Sequence, residues 1–175
     1  MEVASLYREP EAEHEDLTFG ALEFHDVFKI YRSGPVETVA LRGLDLRVEP
    51  GELVALFGPS GSGKSTALQL AAGLDEPSAG DVRPFSRSLG RLTETELAQY
   101  RSEQVAIAAA AAREAPLVLA DEPTAELDEA NEALVLEAVR QLRDEFGSTV
   151  VVVTHSPRVA EAVDRVLELR DGRLV

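Results

Sequence analysis

The chain has 175 residues, is 45% hydrophobic and 28% charged, carries a formal net charge of −15 and contains no cysteine. That length suits one domain with its own core, and the missing cysteines exclude disulfides and thiolate metal sites. So acidic a surface repels nucleic-acid phosphate over most of its area, which argues against a nucleic-acid partner.

In chain order, residues 1–20 read as a loose acidic extension. They lack the basic-then-apolar order of a signal peptide, and no later apolar run approaches the ~18 residues of a membrane span, so the expected location is the cytoplasm. ALEFHDVFKIY (21–31) is strand-like, Ser33 to Pro35 is turn chemistry, and VETVALRGLDLRVEP alternates apolar positions at Leu44, Leu46 and Val48. Glu52 to Phe57 is a short buried strand. A glycine-rich loop follows, then a helix over Lys64 to Ala72 ended by Gly73. Pro77 and Gly80 mark a loop, and Thr93 to Ala112 reads as one helix with an alanine-rich end. Leu117 to Ala120 is a buried strand, and Glu129 to Phe146 a helix with Asp128 as its N-cap. Thr149 to Thr154 is another buried strand, Pro157 to Val163 a helix, and Arg165 to Val175 a hairpin around Asp171-Gly172. The β-to-α alternation of the second half predicts an α/β fold, a parallel sheet flanked by helices, with the β-rich first third as an antiparallel flank.

The strongest motif is Gly58-Pro59-Ser60-Gly61-Ser62-Gly63-Lys64-Ser65-Thr66, which fits G-x-x-x-x-G-K-[ST]. Glycines let the backbone turn successive N–H groups onto phosphate oxygens, and the helix that starts there adds its free N–H groups and dipole. Lys64 supplies positive charge for the β- and γ-phosphates, and Ser65 a hydroxyl ligand for Mg²⁺. Asp121 and Glu122 close the strand Leu117 to Ala120, where ligands bind in open α/β sheets. Asp121 is read as a Mg²⁺ ligand through water, and Glu122 as the group that polarises the water attacking the γ-phosphate. His155 follows the strand TVVVVT. A histidine there is more often structural, but beside the other motifs it is placed to hydrogen-bond the γ-phosphate. Tyr31 is a weaker case, a ring near a strand end that suits either a core or rim position or a stack on adenine.

In this order the motifs resemble the ATP-binding subunit of ABC transporters. The resemblance implies a P-loop NTPase core with an N-terminal antiparallel β subdomain over 21–175, binding ATP and Mg²⁺. Tyr31 falls where that family has its adenine-stacking aromatic. GPSGSGKST matches its Walker A, LVLADEPT its Walker B with catalytic Glu122, and His155 its switch histidine. Ala125-Glu-Leu-Asp128 looks like its D-loop, so Asp128 is implied at a nucleotide-facing dimer contact. The wording of AAGLDEPSAGDV and LADEPTAELD is most similar to the lipoprotein-release, macrolide-export and cell-division branch. The resemblance further implies transmembrane permease subunits and a second nucleotide-binding subunit as partners, and a peripheral position at the inner face of the cell membrane.

One departure is large. Only 54 residues, Ala67 to Ala120, separate the two Walker motifs, and no Ser-Gly-Gly occurs anywhere. The family's helical subdomain, its glutamine loop and its signature are therefore absent, with the chain jumping near 101–103. Gln99 and Gln104 follow no predicted strand and take no role. Three accounts fit: a segment of the protein missing from this sequence, a deliberately shortened chain, or a naturally degenerate subunit. The first keeps full ATPase function, and the others imply a cassette that binds MgATP without efficient hydrolysis. A P-loop phosphotransferase acting on a small metabolite is a third, weaker reading, disfavoured by the Asp-Glu-Pro turn and His155.

Overall fold

The computed structural model describes residues 20–106, 115–125 and 127–175. The acidic extension, up to residue 19, and most of the alanine run (107–112) lie outside the described residues.

Two sheets share one core. The first is antiparallel, with β1 (Leu22–Ser33) between β2 (Val36–Val48) and β4 (Ala79–Pro84). The second has six strands in the order β5 (Val105–Ala106), β6 (Leu117–Asp121), β7 (Thr149–Thr154), β3 (Leu53–Phe57), β8 (Arg165–Arg170) and β9 (Arg173–Leu174). Its neighbours run parallel except the closing β8–β9 hairpin. The described residues also form four α-helices, α1 (Lys64–Ala71), α2 (Glu94–Glu103), α3 (Glu129–Phe146) and α4 (Pro157–Glu161), and a short 3-10 helix (Leu89–Arg91).

The strands of the second sheet are apolar on both faces because both faces are covered. Val54, Leu56, Val151 and Val153 enter one cluster with α1 and the antiparallel sheet. Leu53, Val150 and Val152 enter the other, with Val139 and Leu142 of α3 and Val159 of α4. The period-two alternation of β side chains thus welds three layers. In α3 the expected bounds and cap both hold, since the Asp128 side chain accepts from the Asn131 N–H.

Two elements differ from the sequence expectation. Gly80 does not mark a loop but lies in β4, paired to β1. The pairing skips between His25 and Phe28, and at this bulge a Cβ on Gly80 (φ +85°) would collide with the Asp26 carbonyl. Glycine is required there by a strand, not by a turn. The helix expected over 93–112 ends at Glu103, and Val105–Ala106 join the sheet beside β6, with Val105 opposite Leu117. Helix propensity yields to the unpaired backbone edge of β6, which β5 satisfies.

Candidate functional site

A cleft of about 700 Å³ opens at the C-terminal ends of the parallel strands. The phosphate loop forms its floor with Pro59, Ser60, Gly61, Gly63, Lys64, Ser65 and Thr66. Thr38, Val39 and Ala40 of β2 form one wall, and Glu122 and His155 face them. The loop follows β3 and feeds α1, whose N-cap Gly63 has φ 104°. A Cβ on Gly63 would lie 2.5 Å from the Ala40 carbonyl oxygen, and one on Gly58 would strike the Leu169 carbonyl. Glycine is therefore demanded by close backbone approach at both ends of the loop.

The buried Lys64 ammonium donates to the carbonyl oxygens of Gly58 (2.8 Å) and Pro59 (2.9 Å), so its charge is held inside the loop. Ser62 is 3% exposed, and its Oγ has no hydrogen-bond partner among the described residues. Ser65 Oγ donates to Asp121 Oδ1 at 3.3 Å, which brings together the two residues read as Mg²⁺ ligands. A hydroxyl and a carboxylate are hard oxygen donors and fit that ion. Among the described residues no three His, Cys, Asp or Glu side chains gather as a metal cage.

Nδ1 of His155 lies 2.9 Å from the Glu122 carboxylate, across the ends of β7 and β6. Glu122 has φ 47°, a left-handed conformation rare for a residue with a Cβ, and its N–H donates to the Val153 carbonyl at 2.8 Å. Strain of this kind concentrates at functional sites.

Of the expected site residues outside the cleft lining, Gly58, Ser62 and Asp121 adjoin residues that form it, whereas Tyr31 and Asp128 lie elsewhere. Tyr31 is not in the cleft lining, although it sits opposite Thr38, which is. Its hydroxyl donates to Asp75 Oδ2 (3.0 Å), and its ring lies 4.9 Å from the Lys29 ammonium. Asp128 is exposed and caps α3, outside the cleft lining.

The β2 wall and the β8–β9 turn were missed by motif reasoning. Gly172 donates its N–H to the Ser62 carbonyl (3.0 Å), and its own carbonyl accepts from the Arg42 N–H (2.9 Å). Asp171-Gly172 was legible as a hairpin turn, but nothing in its sequence points to the phosphate loop.

A family model described as ABC transporter matches residues 41–103. The lipoprotein-releasing system ATP-binding protein LolD of Anaeromyxobacter dehalogenans is 33% identical over 220 aligned positions, covering 88% of this chain and 92% of the relative. The macrolide export ATP-binding/permease protein MacB of Syntrophobacter fumaroxidans is 29% identical over 86% of this chain, which spans only 30% of that relative's length. Two dimeric structures of the ABC cassette MJ0796, one bound to ADP and Pi, superpose with TM-scores of 0.79 at 24% and 25% identity. Each covers 87% of this chain and 96% of the cassette. Because 88% of 175 residues is 154, about 66 of the 220 positions aligned with LolD have no residue of this chain opposite them. The family match ends at Glu103, where α2 gives way to β5.

Proposed function

The chain belongs to the ABC transporter family, as an ATP-binding subunit of the ATPase type, and from that premise we propose how its cleft handles nucleotide. Loop N–H groups and Lys64 bind the β- and γ-phosphates, with Gly58, Pro59, Ser60, Gly61, Ser62, Gly63 and Thr66 shaping the cradle. Ser65 and, through water, Asp121 would hold Mg²⁺, which when bound offsets phosphate charge. Glu122 accepts the proton of the attacking water as its oxygen bonds to the γ-phosphorus and the bond to the β–γ bridging oxygen breaks, leaving ADP and phosphate. His155 holds Glu122 and hydrogen-bonds the γ-phosphate. Tyr31 stacks on adenine from the β1 side, and Asp128 contacts a second cassette. The convergence of Glu122 and His155 on the side of the cleft facing β2, 2.9 Å apart, carries this reading.

Residues 21–175 form the nucleotide-binding domain. Its partners are membrane permease subunits and a second cassette, identical or not, which places it at the inner face of the membrane. The names of LolD and MacB and the dimeric MJ0796 structures support this, as does the lack, among the described residues, of any helix long and apolar enough to cross a membrane.

A second reading is favoured by the roughly 66 aligned positions without a counterpart. With no signature to complete a partner's site, the cassette binds MgATP without efficient turnover. Phosphate release from MgATP, read beside nucleotide affinity, decides between the two. If the chain turns over, Glu122→Gln lowers the rate by about 10²- to 10⁴-fold with affinity kept. A rate unchanged in Glu122→Gln removes Glu122 from the chemistry. Tight binding with no phosphate release at any protein concentration selects the second reading.

A further inference from the structure

The carboxylate of Asp75, just past the end of α1, gathers three donors, two from distant β1 and one from its neighbour Glu76. Lys29 Nζ donates to its Oδ1 at 2.6 Å and also to the Glu76 carbonyl at 2.7 Å. The Tyr31 hydroxyl donates to Oδ2 at 3.0 Å, and the Glu76 N–H to Oδ1 at 2.8 Å. The Lys29 side chain is only 11% exposed, and its ammonium sits over the Tyr31 ring. One face of that ring is thus taken by a cation, and Tyr31 as a whole stays 39% exposed, which suits a flat ligand on the other face.

The anchor is itself braced. Tyr100 of α2 donates its buried hydroxyl to the Ala71 carbonyl at 2.6 Å, and Arg101 donates to the Gly73 carbonyl at 2.8 Å. Both hold the C-terminal end of α1, the helix whose first turn carries Lys64 and Ser65.

We propose that Asp75 is a positioning residue for the Tyr31 ring, tying the base platform of the nucleotide site to the helix that carries the phosphate ligands. The proposal rests on the reading of Tyr31 as the adenine-stacking residue. Asp75 does not touch nucleotide. It fixes the phenol and, through Lys29, the ring face, so that the ordering of a flexible side chain is met on folding instead of on binding.

The test compares the dissociation constants of MgATP and of magnesium tripolyphosphate, which has no base. Tyr31→Ala should weaken ATP by about tenfold, the scale of base–aromatic stacking, and leave tripolyphosphate unchanged. Asp75→Ala and Tyr31→Phe should each weaken ATP about fivefold, again without effect on tripolyphosphate. The double variant Asp75→Ala/Tyr31→Phe should be no weaker than either alone, because both cut one tether. Asp75→Asn keeps an acceptor for the phenol and should lose less than Asp75→Ala, which provides a second variant should the alanine form fold poorly. If Tyr31→Ala leaves ATP affinity unchanged, the stacking reading falls and takes this proposal with it. If Tyr31→Ala weakens ATP but neither Asp75 variant does, stacking stands and the positioning role is overturned. Equal losses for ATP and tripolyphosphate in Asp75→Ala also overturn it, because Asp75 then supports the fold alone.

Discussion

The proposed phosphate end of the cleft and the proposed base platform beside it are built by different means. At the phosphate end the constraints are backbone against backbone. Gly63 faces the Ala40 carbonyl, Gly58 the Leu169 carbonyl, and the Gly172 N–H reaches the Ser62 carbonyl. Behind them lie β3 and β7, buried on both faces. At the base end the constraints are side chains: the Lys29 ammonium, the Asp75 carboxylate and the Tyr31 hydroxyl, joined across 44 to 46 positions of sequence. A loop that must cradle several oxygens at fixed spacing gains from rigid amide groups. A flat base needs only a face held at the right angle, and ordered side chains supply that.

Adding one methyl group at the phosphate end gives the largest effect. Gly63→Ala meets the Ala40 carbonyl at 2.5 Å while holding φ at 104°. The strain, about 1–3 kcal/mol before any clash is relieved, should weaken MgATP and tripolyphosphate alike by about a hundredfold. Selective loss of ATP would erase the division between the two ends. Gly172→Ala, at φ +77° with its Cβ 2.6 Å from the same carbonyl, touches the loop only through the β8–β9 turn. It should cost both ligands about tenfold. Gly147→Ala is the control: φ is +67°, but nothing lies within 4 Å, so stability should fall by about 1 kcal/mol without change in affinity. If Gly172→Ala behaves like Gly147→Ala, the turn has no part in shaping the loop.

The same contrast explains what could be read from sequence. The phosphate loop, Asp121-Glu122 and His155 stood out in the sequence because the chemistry proposed for them needs fixed residue types at the ends of recognisable strands. The helix α3 was legible to its cap because Asp128 suits an N-cap, and the structure adds a left-handed Gly147 that closes it. Strand β4 was not, because the demand for Gly80 comes from a bulge in a partner strand some 50 residues earlier. The end of α2 was not, because its alanine-rich continuation carries high helix propensity while the edge of β6 is a tertiary fact. Lys29 and Asp75 belong to no motif. A charged pair 46 residues apart becomes visible only when β1 and the end of α1 are placed side by side.

The smallest effect separates charge ties from backbone constraints through pH. Asp164 stands at the far end of β3 from the phosphate loop, where its Oδ2 accepts the Leu53 N–H at 2.8 Å and its Oδ1 pairs with Arg143 of α3. Burial alone would raise its carboxyl. The hydrogen bonds from Arg143 and from the Leu53 N–H, with the charges of Arg143 and Arg140, outweigh that and hold it below the ordinary 3.8. A lowered carboxylate contributes stability that is fully present above its unfolded value and is lost as pH falls through the folded one. Because the side chain is 42% exposed, solvent screens the pair and the contribution should stay near 1 kcal/mol or less. Asp164→Asn keeps an oxygen for Leu53 and loses only the charge. Its urea midpoint should therefore lie below the parent's at pH 6, and the gap should close as pH falls below the ordinary 3.8. Asp75 and Asp81, also held low, titrate in both proteins and cancel in the difference. Tripolyphosphate affinity at pH 6 should be the same in both, since the backbone cradle owes nothing to this carboxylate. A gap that stays constant across the range would mean that Asp164 acts through shape, and the ties outside the cleft would then work as the phosphate end does.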